Sequence, residues 1–360
     1  MTGRAIAHLS ILLKAQDSVE NLHPGTLEST SLGAHAAMKT LPDLTTPIAG
    51  ELDRVIEVFD RELQSDLPFV NELADQVRRY RGKLLRPRLL LLSGAATGKM
   101  TQKHIVLAAV VEMVHMATLV HDDVLDEADV RRRSPTVNRL VGNEGAVLLG
   151  DFLISHAYHL CSSLDSPHAA RRVATVTNTV CEGELMQIHN RGNARLSESD
   201  YLEIIRRKTA MLTSVCCELG AWAGGADTAV VNRMADFGMD IGMAFQIVDD
   251  LLDLTGSENE LGKTVGRDAD LEKWTLPVIR FRDTADAEER ARLQSIMRGN
   301  GEDRTGALRE LLSGTDAIEY ATDVARTYVK SALGHLADLP PSEARDGLSQ
   351  AAEFIIIRSN

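Results

Sequence analysis

From Pro47 onward the chain reads almost entirely in helical period. IAGELDRVIEVFDRELQ and YLEIIRRKTAMLTSVCCELGAWA both set apolar residues three and four apart and leave one polar face. Strand-like alternation bounded by hairpin turns is absent. Breaks fall at Gly82, at Gly98, near Ser134-Pro135, at Asp165 to Pro167, at Gly192 to Ser199 and at Gly256 to Gly266. The segments between them run about 15 to 30 residues, which predicts the long helices of a large bundle. Two runs, HIVLAAVVEMVHMATLV and FGMDIGMAFQIV, are apolar on nearly every side and should be central helices. After Thr284 shorter and more polar helices are expected, closing with an amphipathic one through LSQAAEFIIIRS. Residues 1–45 scatter Gly, Pro, Ser and Thr among mixed types and read as a mobile arm. No composition shift marks a second domain, so residues 46–360 are expected to form one all-α domain.

Each central run ends in an aspartate triplet of the same form, Asp122-Asp123-Val-Leu-Asp126 and Asp249-Asp250-Leu-Leu-Asp253. On a helix, the first and third aspartates of such a triplet share a face. Carboxylates at a helix C-terminus oppose the macrodipole, at a cost of a few tenths to about 1 kcal/mol each. One such motif is commonly a solvated acidic helix end. Two of them, each closing an apolar helix, predict facing carboxylate walls that hold hard cations. Magnesium takes oxygen ligands and shares them with substrate phosphate.

Basic residues gather near helix ends and turns: Lys83 and Arg86, then Arg131, Arg132 and Arg133, then Lys208, Lys263 and Lys273. Taken singly these are surface charges or, for the arginines after the first triplet, groups that suit the helix dipole. Beside a metal–diphosphate site the arginines become bidentate phosphate ligands. His115 lies two helical turns before Asp122 on about the same face; on its own it would read as a satisfied core histidine.

Net charge narrows the partners. With 39 basic against 52 acidic residues the chain carries −13, which argues against nucleic acid. An anionic ligand would need a local basic cluster or metal ions. Cys161, Cys181, Cys216 and Cys217 make neither a disulfide framework nor a metal-binding spacing, as suits a reducing compartment. The apolar stretch IAHLSILL after Arg4 is not followed by a small-residue cleavage pattern. No uninterrupted apolar run reaches the roughly 18 residues that span a bilayer. A cytoplasmic protein without a transmembrane segment is expected.

Several ordered motifs together resemble the trans-type isoprenyl (polyprenyl) diphosphate synthase family over roughly residues 47–358. They are GKxxRP at Gly82 to Pro87, HDDVLDEADVRR at His121 to Arg132, GELMQ at Gly183 to Gln187, Lys208-Thr209, FQIVDDLLD at Phe245 to Asp253, and GKTVGRD at Gly262 to Asp268. The resemblance implies a large helical bundle of the isoprenoid-synthase type with a central apolar cavity. It implies head-to-tail 1′-4 condensation of isopentenyl diphosphate onto an allylic diphosphate, with the departing diphosphate as the base. It also implies about three Mg²⁺ per site, held by Asp122, Asp126 and Asp249 with Asp123, Asp250 and Asp253 in support. Arg131, Lys208 and Lys263 would hold the allylic diphosphate, and Lys83, Arg86, His115 and Arg132 the isopentenyl diphosphate. Gln187 and Lys273 join the substrate-binding set, and Lys208, Thr209 and Gln246 would flank the reacting carbons. Arg133 and Glu272 stand where the family usually has glycine; Arg81 replaces a leading glycine and Leu84 a basic residue. These departures bear on loop geometry and, through Glu272, on Lys273. None removes a metal ligand.

The growing tail must lie between apolar helices, and a bulky residue below the first triplet would stop it. Ala117 and Thr118, five and four residues before Asp122, are small, and no Phe, Tyr or Trp occurs between Tyr80 and Phe152. An isoprene unit is about as long as one helical turn of ~5.4 Å, so several more units fit below. LADLPPSEARDGL also resembles long-chain members. The expected product is longer than geranylgeranyl, about thirty to fifty carbons, as in a quinone side chain. A short-chain farnesyl or geranylgeranyl synthase is the alternative, should Met113, Met116 or another helix close the tunnel. A non-catalytic modulatory subunit would be expected to lose a triplet or the diphosphate lysines. A class I terpene cyclase would vary the second triplet and line its pocket with aromatics, against 4% aromatic content here. The resemblance further implies a homodimer, and so apolar a product implies transient membrane contact at release.

Overall fold

The computed structural model describes residues 46–131, 134–256, 266–299 and 303–357. The arm expected over residues 1–45 lies outside them, as do Arg132, Arg133 and Lys263. The chain enters through a 3₁₀ turn at Thr46–Ile48 and then runs α1 Ala49–Glu62, α2 Pro68–Tyr80, α3 Leu85–Thr97, α4 Gln102–Leu125, α5 Val137–Ser162 and α6 Pro167–His189. Helix α7, Glu198–Ile205, passes through a π turn at Arg206–Ala210 into α8, Met211–Ala223. There follow α9 Thr228–Thr255, α10 Arg267–Asp270, α11 Leu276–Thr284, α12 Ala287–Arg298, α13 Arg304–Leu312, α14 Ala317–His335 and α15 Glu343–Ile357. A two-residue ladder, β1 Val130–Arg131 antiparallel to β2 Ser134–Pro135, is the extended element that the sequence pattern did not signal.

Local chemistry sets the helix starts. Asp227 caps α9 by accepting the Val230 N–H at 2.9 Å, and Ser197 caps α7 by accepting that of Asp200 at 3.1 Å. Asp286 and Glu289 form a reciprocal capping box on α12. Proline opens α2 and α6, where its missing N–H costs nothing. Within α5, Gly142 at φ 81° breaks helical geometry and kinks the first turns.

Helices α4 and α9 are buried on nearly all sides, as their continuous apolar runs require. Helix α4 packs against α5, α1 and α3, and α9 against α8, α14 and the π turn. The contact between α9 and the π turn is close: a Cβ on Gly242 would meet the Ala210 Cα at 2.5 Å. Among the described residues α4 alone is long and apolar enough to cross a membrane, and most of it is buried inside the fold. Helix α15 closes over α3 and α14. An apolar cavity of about 40 Å³ lies beneath it, lined in part by Arg86, Phe245 and Phe354.

Candidate active site

Helix α4 ends in a Schellman motif. The Ala128 N–H donates to the Asp123 carbonyl at 2.9 Å and the Glu127 N–H to that of Val124 at 3.3 Å. The left-handed residue is Glu127, at φ 49°, where glycine is usual. This ending fixes the first triplet on the last turn. Asp122 and Asp126 are half-buried on the face that also carries His115 and Thr118, whereas Asp123 turns inward and is 1% exposed. Two nitrogens of Arg131, Nε and one terminal NH₂, reach the same Asp123 oxygen at 2.8 Å. The structure thus places Arg131 on a buried aspartate. Asp126 is held by Arg191 at 2.7 Å and by Lys273 at 3.7 Å, and Arg267 donates to its carbonyl.

The second triplet is divided in the same way. Asp249 is half-buried, while Asp250 and Asp253 are buried. Asp250 accepts the Tyr201 hydroxyl and the Gln246 amide, both at 2.7 Å. Asp253 accepts the Asp268 N–H at 3.0 Å at the start of α10. Lys273 joins the two walls, lying 3.7 Å from Asp126 and 3.4 Å from Asp268. Burial alone would lower its ammonium, but Asp268, Asp126 and Asp250 together hold it above the usual value. Glu272, where the family usually has glycine, keeps the left-handed conformation at φ 53°, so Lys273 still reaches the site.

The π turn presents Lys208 and Thr209. An extra residue in a helical turn re-aims side chains, and such bulges recur at functional sites. Lys208 pairs with Glu184 and lies 4.0 Å from Asp122. Thr209 donates to the Gln246 side-chain carbonyl at 2.8 Å, which extends the chain Thr209–Gln246–Asp250–Tyr201. Helix α6 crosses here so closely that a Cβ on Gly183 would meet the Lys208 backbone nitrogen at 2.5 Å. That is the physical reason for the glycine in GELMQ. Gln187 donates to Glu184 at 3.3 Å.

A second basic group lies at the start of α3. Lys83 sits over the Phe354 ring at 5.5 Å. Arg86 is drawn below its usual value by burial, opposed by Cys216 and by Glu112, one turn before His115.

Electrostatics favours a cation at the first wall. Burial raises Asp122 to about 6; Glu184 and Asp126 push it in the same direction, while Lys208 and Arg131 oppose. Burial, then Asp268, raise Asp250 to about 8. The oxygen donors of the first wall, Asp122 and Asp126 with Glu184 beside them, are of the type that hard divalent ions such as Mg²⁺ take. The motifs had pointed to GELMQ and GKTVGRD without giving Glu184 or Asp268 these contacts. Arg191 and Tyr201 carry no local sequence signal.

Fold and site together define a bundle of the isoprenoid-synthase type. The chain belongs to the polyprenyl synthetase family, whose sequence model matches residues 68–314. It is 36% identical over 304 residues to "Heptaprenyl diphosphate synthase component 2" of Bacillus subtilis (strain 168), covering 83% of this chain and 87% of that one. The crystal structure of a decaprenyl diphosphate synthase from Rhodobacter capsulatus superposes with a TM-score of 0.84 at 33% identity, covering 89% of this chain and 100% of that one. A polyprenyl synthase from Caulobacter crescentus CB15, complexed with calcium and isoprenyl diphosphate, gives 0.85 at 31% identity, covering 90% and 98%.

Two outcomes are expected. A metal ion at Asp126 would have to displace Arg191, so Arg191→Ala should tighten apparent Mg²⁺ affinity several-fold by calorimetry, about 1 kcal/mol for a half-buried pair; unchanged affinity would show that the pair does not compete. The second concerns pH. Asp122 and Asp250 hold protons more tightly folded than unfolded, so their contribution favours the fold below pH ~4 and is lost as pH rises through about 6 and about 8. In chelator, Tm should decline across that window, and Mg²⁺ with an unreactive diphosphate analogue should flatten the decline. A Tm equally flat without metal would contradict these shifts.

Proposed function

We propose that the protein is a Mg²⁺-dependent polyprenyl diphosphate synthase that condenses isopentenyl diphosphate head-to-tail onto an allylic diphosphate. The observation that carries this reading is that Lys208 lies beside Asp122 and Lys273 beside both Asp126 and Asp268, with Asp250 bonded to the Thr209–Gln246 pair. Bound Mg²⁺, about three ions, would supply charge stabilisation to the leaving diphosphate. Lys208 swings from Glu184 to the allylic diphosphate, and Lys273 stands on its other side; Lys263 is assigned to the same diphosphate and Arg132 to the isopentenyl diphosphate from their motifs alone. Arg131 acts by fixing Asp123 behind the first wall. Lys83, Arg86 and His115 take the isopentenyl diphosphate at the start of α3. Thr209 orients the Gln246 carbonyl, and that dipole faces the developing allylic cation.

A long trans product of about thirty to fifty carbons is supported by small residues below Asp122. Thr118 is half-buried on the face of Asp122, while Ala117 is fully buried on the side turned away. Thr118 is therefore the better candidate for the tunnel wall. A homodimer is supported by an apolar surface on α5 and α6: Val147, Leu148 and Tyr158 on one, Leu185 and Ile188 on the other, with Leu148 and Leu185 about two-thirds exposed. We place the enzyme in the cytoplasm, with transient membrane contact at product release. The name of the Bacillus relative, component 2, favours a second reading in which this chain acts only with another subunit.

The assay supplies purified protein with Mg²⁺, farnesyl or geranylgeranyl diphosphate and labelled isopentenyl diphosphate, and reads product by mass spectrometry. Products beyond twenty carbons are expected, shortened in Thr118→Phe. No product longer than twenty carbons removes the long-chain reading, and condensation only with an added partner selects the two-component one. Light scattering should give a dimer that Leu148→Asp with Leu185→Asp converts to monomer; a wild-type monomer excludes this interface.

A further inference from the structure

Away from the aspartate walls, Glu62, His156 and His159 form a separate cluster. Glu62 is the last residue of α1, so its carboxylate stands at the negative end of that helix dipole. Its neighbour Asp60 is engaged by Arg78 and Arg81 and does not share the cluster. On α5, His156 and His159 are three residues apart and project from one face. Both turn Nδ1 toward the same Glu62 oxygen, at 3.4 Å and 2.6 Å. The three candidate ligand atoms all lie within 4.8 Å of one another.

The rings are arranged by packing as well as by charge. His156 lies against Phe152 with ring centres 4.2 Å apart and the rings tilted at 53°, and its ring is edge-on to that of His159 at 6.4 Å. The Glu62 and His156 side chains are 16% and 26% exposed, whereas that of His159 is 78% exposed. Two ligands are thus held in place, and the third is free to turn.

We propose that this cluster binds a transition-metal dication, with Zn²⁺ as the reference ion. One carboxylate oxygen with two imidazole nitrogens suits zinc, copper or nickel rather than magnesium, which prefers oxygen alone. Three protein ligands leave a fourth position for water. Zinc bonds of ~2.0–2.2 Å place tetrahedral ligand atoms about 3.3 Å apart. The 3.4 Å separation already matches this, and a small rotation of His159 opens the 2.6 Å one. On binding, each neutral imidazole moves its proton from Nδ1 to Nε2 through solvent, so no net proton is released. Helices α1 and α5 both pack on α4, and the ion would clamp them together around the helix that carries the first triplet.

The test uses the full metal-depleted chain with Mg²⁺ in excess, so that the catalytic carboxylates are occupied. Calorimetry with Zn²⁺ should find one more site in the wild type than in His159→Ala, or an affinity loss of at least about tenfold, the low end even for an outer-shell partner. Tm should rise with Zn²⁺ in the wild type but not in this exposed-site variant or in Glu62→Gln. Co²⁺ should give a tetrahedral visible band in the wild type alone. Equal zinc binding and equal Tm response in all three proteins would overturn the proposal and leave a carboxylate bridging two imidazoles.

Discussion

Carboxylates gathered in a partly desolvated pocket repel one another, by about 3 kcal/mol for a pair 5 Å apart at an effective dielectric near 20. Eight acids meet at this end of the bundle: the six aspartates of the triplets, Glu184 and Asp268. The fold meets the repulsion by sorting them into two layers. Asp123, Asp250 and Asp253 turn inward onto Arg131, Tyr201 with Gln246, and a backbone N–H. Asp122, Asp126 and Asp249 stay half-buried, with Lys208, Arg191 and Lys273 alongside the first two. Identical residues in identical motifs are therefore either bonded inward or left half-buried according to which side of the helix they occupy.

Backbone geometry makes that sorting possible. The Schellman ending of α4 and the π turn before α8 each set a side-chain direction that uniform α-helix would not give. Close crossings at Gly183 and Gly242 bring α6 and α9 against the π turn, and there Thr209 meets Gln246. Both irregularities lie beside the aspartate triplets. The long regular helices hold them in position.

Much of this was legible in the sequence because it is periodic or strictly local. The apolar runs gave the two central helices, and the triplets gave the carboxylates, since both depend on spacing along one helix. What the sequence left hidden depends on contacts between distant segments. Nothing near Arg131 signals that it pairs with Asp123, and nothing in NRGNAR signals that Arg191 reaches Asp126. Ala117 and Thr118 look equivalent as small residues, yet they differ by about 100° around α4, and burial separates them. The π turn was illegible for a related reason: RRKTA continues the helical pattern without a breaker, and only packing against Gly183 and Gly242 fixes its extra residue.

The two cations at the Asp126 carboxylate come from loops far apart in the chain, yet those loops are fastened together. The Gly192 N–H donates to the Glu272 carbonyl at 3.0 Å, one residue from Arg191 on one side and one residue from Lys273 on the other. Arg191 and Lys273 are thus positioned through one shared backbone contact, so a change in either loop bears on both charges at Asp126.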